Sequence, residues 1–231
     1  VYSVRLLARL PLDWLAIDME HAPTSQETMV NMVAAVSEAD GPQPVVRLSQ
    51  ASSENIKSAL DAGAAGIIAP MVNNGEDAAR VVDWAKLPPI GSRSFGSPYA
   101  GLTWGQTGAE NQKASNDQIM VAVQVESNIA LDNLGDIFST PHLDMVLVGP
   151  LDLSISLGLD FFSGESSPIL DQALGSILAA SRKHNIPVGI YCPSAEVARQ
   201  RIEQGFLFVN VAHDTNILVD GVNQALKVSG Q

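Results

Sequence analysis

Seven short apolar runs, largely β-branched, recur along the chain: residues 14–18 (WLAID), 44–48 (PVVRL), 66–71 (GIIAPM), 120–126 (MVAVQVE), 145–149 (MVLVG), 187–192 (PVGIYC) and 206–212 (FLFVNVA). Each is nearly continuous in apolar character, as expected of parallel strands covered on both faces. Helical patterns with start and stop signals lie between them. Thr24-Ser25-Gln26-Glu27 reads as a capping box ahead of Met29, Met32, Val33 and Val36. Residues 52–62 end at Gly63, residues 75–86 end ahead of Pro88-Pro89, and residues 128–138 stop before Pro141. Ser167-Pro168 opens a helix to about His184, Ser194 caps 195–204 ahead of Gly205, and a last helix spans about 215–228.

Strand and helix alternate, which predicts βα units, a parallel sheet and one domain over residues 1–231. Closure of a TIM-type barrel needs eight strands, and seven are visible. Residues 91–95 are a weak eighth, polar and glycine-bounded; the alternative is a first strand upstream of Val1. The expectation is therefore an α/β fold, a (β/α)8 TIM-type barrel with its first strand missing from this chain. Residues 88–118 break the rhythm as a long segment rich in Gly, Ser and Asn. A loop of that length in a compact domain is usually functional, and Trp104 within it is a candidate pocket residue. Trp14 and Trp84 read as core.

Composition narrows the function classes. Among 231 residues, 46% are hydrophobic and 16% charged, enough to bury a core and exclude general disorder. Thirteen Lys+Arg against 25 Asp+Glu leave a net charge of -12, which argues against nucleic acid and acidic membranes as partners. No apolar run approaches the ~20 residues of a membrane span. The single Cys192 cannot form an internal disulfide, and the first residues lack a signal-peptide layout. Both point to the cytoplasm.

In a parallel α/β barrel, chemistry gathers at the C-terminal ends of the strands. The runs deliver Asp18, Glu20 and His21, then Arg47, then Gln124 and Glu126, then Asp152, and finally His213 and Asp214 to that rim. The third and sixth runs, ending near Met71 and Cys192, deliver little charge. Glu126 and Asp152 follow successive strands, and two hard carboxylates suit an octahedral Mg²⁺ or Mn²⁺. A general acid/base pair is the metal-free alternative for the same two carboxylates. None of the five lysines, Lys57, Lys86, Lys113, Lys183 and Lys227, sits in or at the end of a run. That disfavours imine chemistry, which needs a buried lysine with a lowered pKa. His21 is a candidate base, His142 and His184 read as structural, and His213 stays ambiguous.

The stretch Asp13-Trp14-Leu15-Ala16-Ile17-Asp18-Met19-Glu20-His21-Ala22-Pro23 resembles the signature of the HpcH/HpaI aldolases. These are class II, metal-dependent pyruvate aldolases, among them 4-hydroxy-2-oxoheptane-1,7-dioate aldolases. Further matches are Val46-Arg47, Leu60-Asp61-Ala62-Gly63-Ala64, Pro70-Met71-Val72, Gln124-Val125-Glu126-Ser127 and Gly149-Pro150-Leu151-Asp152-Leu153-Ser154. The likeness covers about residues 5 to 228, and residues 91–96 (GSRSFG) look like the fungal branch related to macrophomate synthase.

The resemblance implies roles. Glu126 and Asp152 would bind a divalent ion, with Mg²⁺ or Mn²⁺ expected and Co²⁺ compatible. Gln124, Asp152 and the backbone of Leu151 would contact the keto acid. Arg47 would stabilise the enolate oxygen, His21 would be the base, and Asp61 would raise its basicity. The activity implied is cleavage or formation of a C–C bond of a 4-hydroxy-2-keto acid, giving pyruvate and an aldehyde. Alternatives are oxaloacetate decarboxylation with enolate capture and a non-catalytic metabolite-binding barrel. Members are commonly hexamers whose last helix swaps onto a neighbour, so a homo-oligomer (hexamer or trimer of dimers) is expected, with residues 215–228 as the swapped helix. Departures from the family pattern at Leu48, Leu151 and His213 bear on which substrate is taken.

Overall fold

A computed structural model of the chain describes residues 1–160 and 167–230. All seven apolar runs form strands, β1 with the run's own bounds, β2 shifted back by one residue and the other five shorter than their runs: β1 Trp14–Asp18, β2 Gln43–Arg47, β3 Gly66–Ala69, β4 Met120–Val125, β5 Met145–Val148, β6 Val188–Ile190 and β7 Phe208–Val209. They pair in chain order and are parallel throughout. The helices are α1 Tyr2–Leu7, α2 Gln26–Ser37, α3 Ser53–Asp61, α4 Gly75–Ala85, α5 Gly108–Gln118, α6 Asn128–Asp132, α7 Leu134–Phe138, α8 Pro150–Ser156, α9 Pro168–His184, α10 Ala195–Gln204 and α11 Asp214–Ser229. Ser25, Ser52, Asn74, Ser127, Ser167 and Ser194 each accept a backbone N–H of the first turn, so short polar side chains set most helix starts. The cap of α2 is Ser25 rather than Thr24.

Strand parity sorts the side chains into two cores. Leu15, Ile17, Val46, Ile67, Val121, Val123, Val146 and Val188 point outward and pack under the helices. Their alternates Val45, Ile68, Ala122 and Met145 form a second cluster on the inner face, joined by Trp14, Met120, Leu147 and Phe208. Trp14 of β1 stacks on Phe208 of β7 with ring centroids 4.0 Å apart and planes 10° apart. The sheet is thus curled until its first and last strands meet through side chains. Among the described residues, β1 and β7 share no ladder of hydrogen bonds. Trp14 therefore belongs to the inner face, and Trp84 packs on the outer core.

Residues 91–95 form no strand, because this polar stretch hangs on α4: Ser92 N–H donates to Asp83 O at 2.7 Å and Arg93 N–H to Lys86 O at 3.1 Å. Residues 88–118 are not all loop. The second part is α5, begun by a capping box in which Thr107 and Glu110 exchange hydrogen bonds. The helical stretch 128–138 is broken at Asn133 into α6 and α7.

Candidate active site

The C-terminal ends of β1, β2 and β4 and the start of α8 converge on one rim. Asp18 and Arg47 are the last residues of β1 and β2 and face each other in register. Arg47 Nε donates to Asp18 Oδ1 at 2.9 Å and Nη2 to Oδ2 at 2.7 Å, a two-pronged clamp that fixes the guanidinium plane. The third nitrogen, Nη1, lies 3.3 Å from Glu20 Oε2. Burial pushes the Asp18 carboxyl up, but the bonds and charge of Arg47 outweigh it and hold Asp18 below its usual range. Glu20 goes the other way, with burial keeping its pKa raised against the pull of Arg47 and His21. Its Oε2 is buried and, among the described residues, finds no hydrogen-bond donor.

Glu126 follows β4 and is almost fully buried. Met71 N–H donates to its Oε1 at 2.7 Å, and Gln124 Nε2 donates to its Oε2. Burial raises the Glu126 pKa, these two donors lower it, and the charges of Glu20 and Asp152 raise it further. Asp152 lies in the first turn of α8. Four acids, Asp18, Glu20, Glu126 and Asp152, thus gather at this rim beside Arg47. Gly149, which joins β5 to α8, is part of the fit: a Cβ there would lie 2.2 Å from Glu126 Oε2. Leu151 is also in the first turn of α8, where backbone N–H groups lack partners within the helix.

The donors fit a divalent ion as a pair. Glu126 and Asp152 carry hard oxygen donors, and burial together with the charges of Glu20 and Asp152 raises the Glu126 carboxyl, an environment that a cation would relieve. Among the described residues no group of three or more His, Cys, Asp or Glu could hold a metal, so water and substrate would supply the other ligands, as Mg²⁺ prefers.

His21 is exposed at the same rim, 3.8 Å from Glu20 Oε2 through Nε2. Asp61 is not brought to it. Asp61 ends α3, which runs back along the sheet, so it sits near the N-terminal end of β3. A five-residue strand separates the two ends by roughly 16 Å. Burial raises the Asp61 carboxyl there, and Arg93 and Lys57 draw it down. His213 also leaves the rim chemistry: it is exposed, with Nδ1 2.8 Å from Thr215 Oγ1 at the start of α11. Lys86 is buried, but at the opposite end of the sheet. Its ammonium donates to Asn116 O and Ile119 O, each at 2.8 Å, and pairs with Asp144 at 3.2 Å.

Sequence reasoning missed the Met71 N–H, because it searched strand ends for charged side chains and a backbone donor has no residue-type signal. It also missed the close approach at Gly149, although a glycine between an apolar run and an acid marks such places.

The family model described as HpcH/HpaI aldolase/citrate lyase matches residues 2–221. The chain belongs to this family. It is 36% identical over 218 residues to 4-hydroxy-2-oxo-heptane-1,7-dioate aldolase of Escherichia coli, covering 94% of this chain and 82% of the relative. It is 36% identical over 229 residues to 2-keto-3-deoxy-L-rhamnonate aldolase of Escherichia coli O9:H4, covering 97% and 83%. The structure of a HpcH/HpaI aldolase/citrate lyase family protein from Burkholderia cenocepacia J2315 superposes with a TM-score of 0.89 at 32% identity, over 100% of this chain and 90% of that one. Macrophomate synthase superposes with a TM-score of 0.86 at 28% identity, over 99% and 81%.

Proposed function

We propose that this member of the family is a metal-dependent carbon–carbon lyase that converts a 4-hydroxy-2-keto acid to pyruvate and an aldehyde, or runs the reverse. The observation that carries the reading is the meeting of Glu126, Asp152 and the clamped Arg47 on one rim. Glu126 and Asp152 would hold the ion, with Mg²⁺ or Mn²⁺ fitting the oxygen donors and Co²⁺ compatible. When bound, the ion supplies Lewis-acid stabilisation of negative charge on the keto-acid oxygens.

The chain's own residues do the rest. His21 takes the proton of the C4 hydroxyl as the C3–C4 bond breaks, which releases the aldehyde and leaves the enolate of pyruvate. Protonation of that enolate at C3 gives pyruvate. Arg47, pre-oriented by Asp18, presents fixed positive charge to the enolate oxygen and loses little freedom in doing so. Gln124, Asp152 and the Leu151 backbone hold the keto-acid end. Asp61 cannot reach His21 of its own chain, so in this reading it serves His21 of a second copy, and the protein is a cytoplasmic homo-oligomer. The seven strands are then part of a (β/α)8 barrel whose seam lies between β1 and β7.

Pyruvate release from a 4-hydroxy-2-keto acid, measured with and without a chelator, tests the proposal. Turnover is expected only with the metal, and activity that survives complete metal removal would sink the metal step. Metal and pyruvate binding without turnover would instead mark a binding barrel. The likeness to macrophomate synthase favours one second reading, decarboxylation of oxaloacetate with capture of the enolate. It uses the same rim, releases CO₂ in place of the aldehyde, and is decided by an assay with oxaloacetate.

A further inference from the structure

Met71, just beyond β3, holds a backbone conformation that residues with a Cβ avoid, with φ at 55°. Packing of its own side chain does not account for this, since Met71 is 52% exposed. The conformation instead aims two successive amides at the end of β4. Met71 N–H donates to Glu126 Oε1 at 2.7 Å, and Val72 N–H donates to Gln124 O at 3.1 Å.

A small polar cluster keeps this turn in place, with Asn73 at its centre. Asn73 Nδ2 donates to the Met71 carbonyl at 3.1 Å. The Ser127 hydroxyl donates to Asn73 Oδ1, and Asn133 Nδ2 donates to the Asn73 carbonyl at 3.1 Å. Ser127 follows Glu126 directly and also caps α6, accepting Ala130 N–H at 3.0 Å. Asn73 therefore ties the segment after β3 to the segment after β4, on either side of the buried carboxylate.

We propose that Asn73 is a positioning residue for Glu126: it pins the Met71 peptide in its left-handed conformation, and the Met71 N–H in turn orients the carboxylate. This rests on the reading of Glu126 as a ligand of a divalent cation. Groups that orient metal ligands typically change affinity by 10–100-fold when removed.

The test uses the full chain and Mn²⁺ alone. In the metal-free protein the Met71 amide is expected to be protected from hydrogen exchange, and Asn73→Ala lowers that protection about tenfold while weakening Mn²⁺ binding about tenfold by calorimetric titration. Met71→Gly adopts the same φ without a Cβ penalty, so it keeps Mn²⁺ affinity within about threefold, and Asn73→Ala costs less in that background than beside Met71. A residue that merely supports the fold would weaken Mn²⁺ binding equally in both backgrounds, and that result overturns the proposal. So does unchanged Met71 protection or unchanged Mn²⁺ affinity in Asn73→Ala. Asn73→Asp, which keeps the shape and the acceptor but lacks the amide donor, is the second variant should Asn73→Ala not fold, and the same pattern is expected of it. A wild-type chain that binds no Mn²⁺ while its Met71 amide is protected overturns the metal reading of the site. Loss of the coupling between Asn73 and Met71 overturns the inference alone.

Discussion

At the residue scale, the clamp between Asp18 and Arg47 links stability to chemistry. Both side chains are less than a third exposed, and two charge-assisted hydrogen bonds join them. A carboxyl held below its usual range adds stability at pH values above its unfolded pKa, and that stability is lost as pH falls through the folded value. Asp18→Asn should therefore cost about 2 kcal/mol near neutral pH. The cost should fade only below the usual aspartate range, as read from urea unfolding of both proteins at neutral pH and again below that range. A penalty that stays constant into acid would mean that shape, not charge, holds the pair. The rim acids and Arg47 were legible in the sequence because charge at the end of an apolar run has few structural excuses. The direction of each pKa was not: burial pushes both Asp18 and Glu20 up, but Asp18 accepts two hydrogen bonds from Arg47 and backbone N–H bonds that outweigh it, while Glu20 has only the charges of Arg47 and His21 against burial and its acidic neighbours.

At the element scale, the joint between β5 and α8 decides whether Glu126 and Asp152 share one site. Gly149 leaves no room for a side chain, with Glu126 Oε2 only 2.2 Å from where a Cβ would sit. In Gly149→Ala either the carboxylate turns away or α8 moves with Asp152, and both separate the donors. We expect a loss of about tenfold or more in kcat/KM with an unchanged far-UV circular dichroism spectrum. Full activity in the variant would show that the carboxylate is free to relocate. The strands were legible almost run by run, because a strand covered on both faces must be apolar. Helix α5 escaped detection for the converse reason: Asn111 and Ser115 are its buried residues, so it carries no apolar stripe. Its start was nonetheless written in Thr107-Gly108-Ala109-Glu110, an N-cap followed three residues later by a glutamate. Helix α8 was hidden because its first turn carries Leu151 and Asp152, whose sequence pattern reads as rim chemistry rather than as a helix start.

At the scale of the whole molecule, one chain does not complete the constellation that the family resemblance implies. His21 stands at the C-terminal rim, and Asp61 ends a helix that returns to the opposite end of the sheet. Every residue of α11 is exposed, Ile217, Leu218, Val219 and Val222 among them, so this helix finds no cover among the described residues. An exposed apolar face of that extent marks a contact surface, which gives the proposed homo-oligomer, in which Asp61 serves His21 of a second copy, a surface on which to form. Mixing decides the matter. His21→Ala and Asp61→Ala chains should each be nearly inactive as pure oligomers. Dissociated and reassembled together, they should regain part of the wild-type turnover, because some rims would then combine an intact His21 with an intact Asp61 from the neighbour. The recovered activity should rise and fall with the mixing ratio and peak near equal amounts. If both residues acted within one chain, no mixed oligomer could contain an intact pair, and the mixture would stay as inactive as its components.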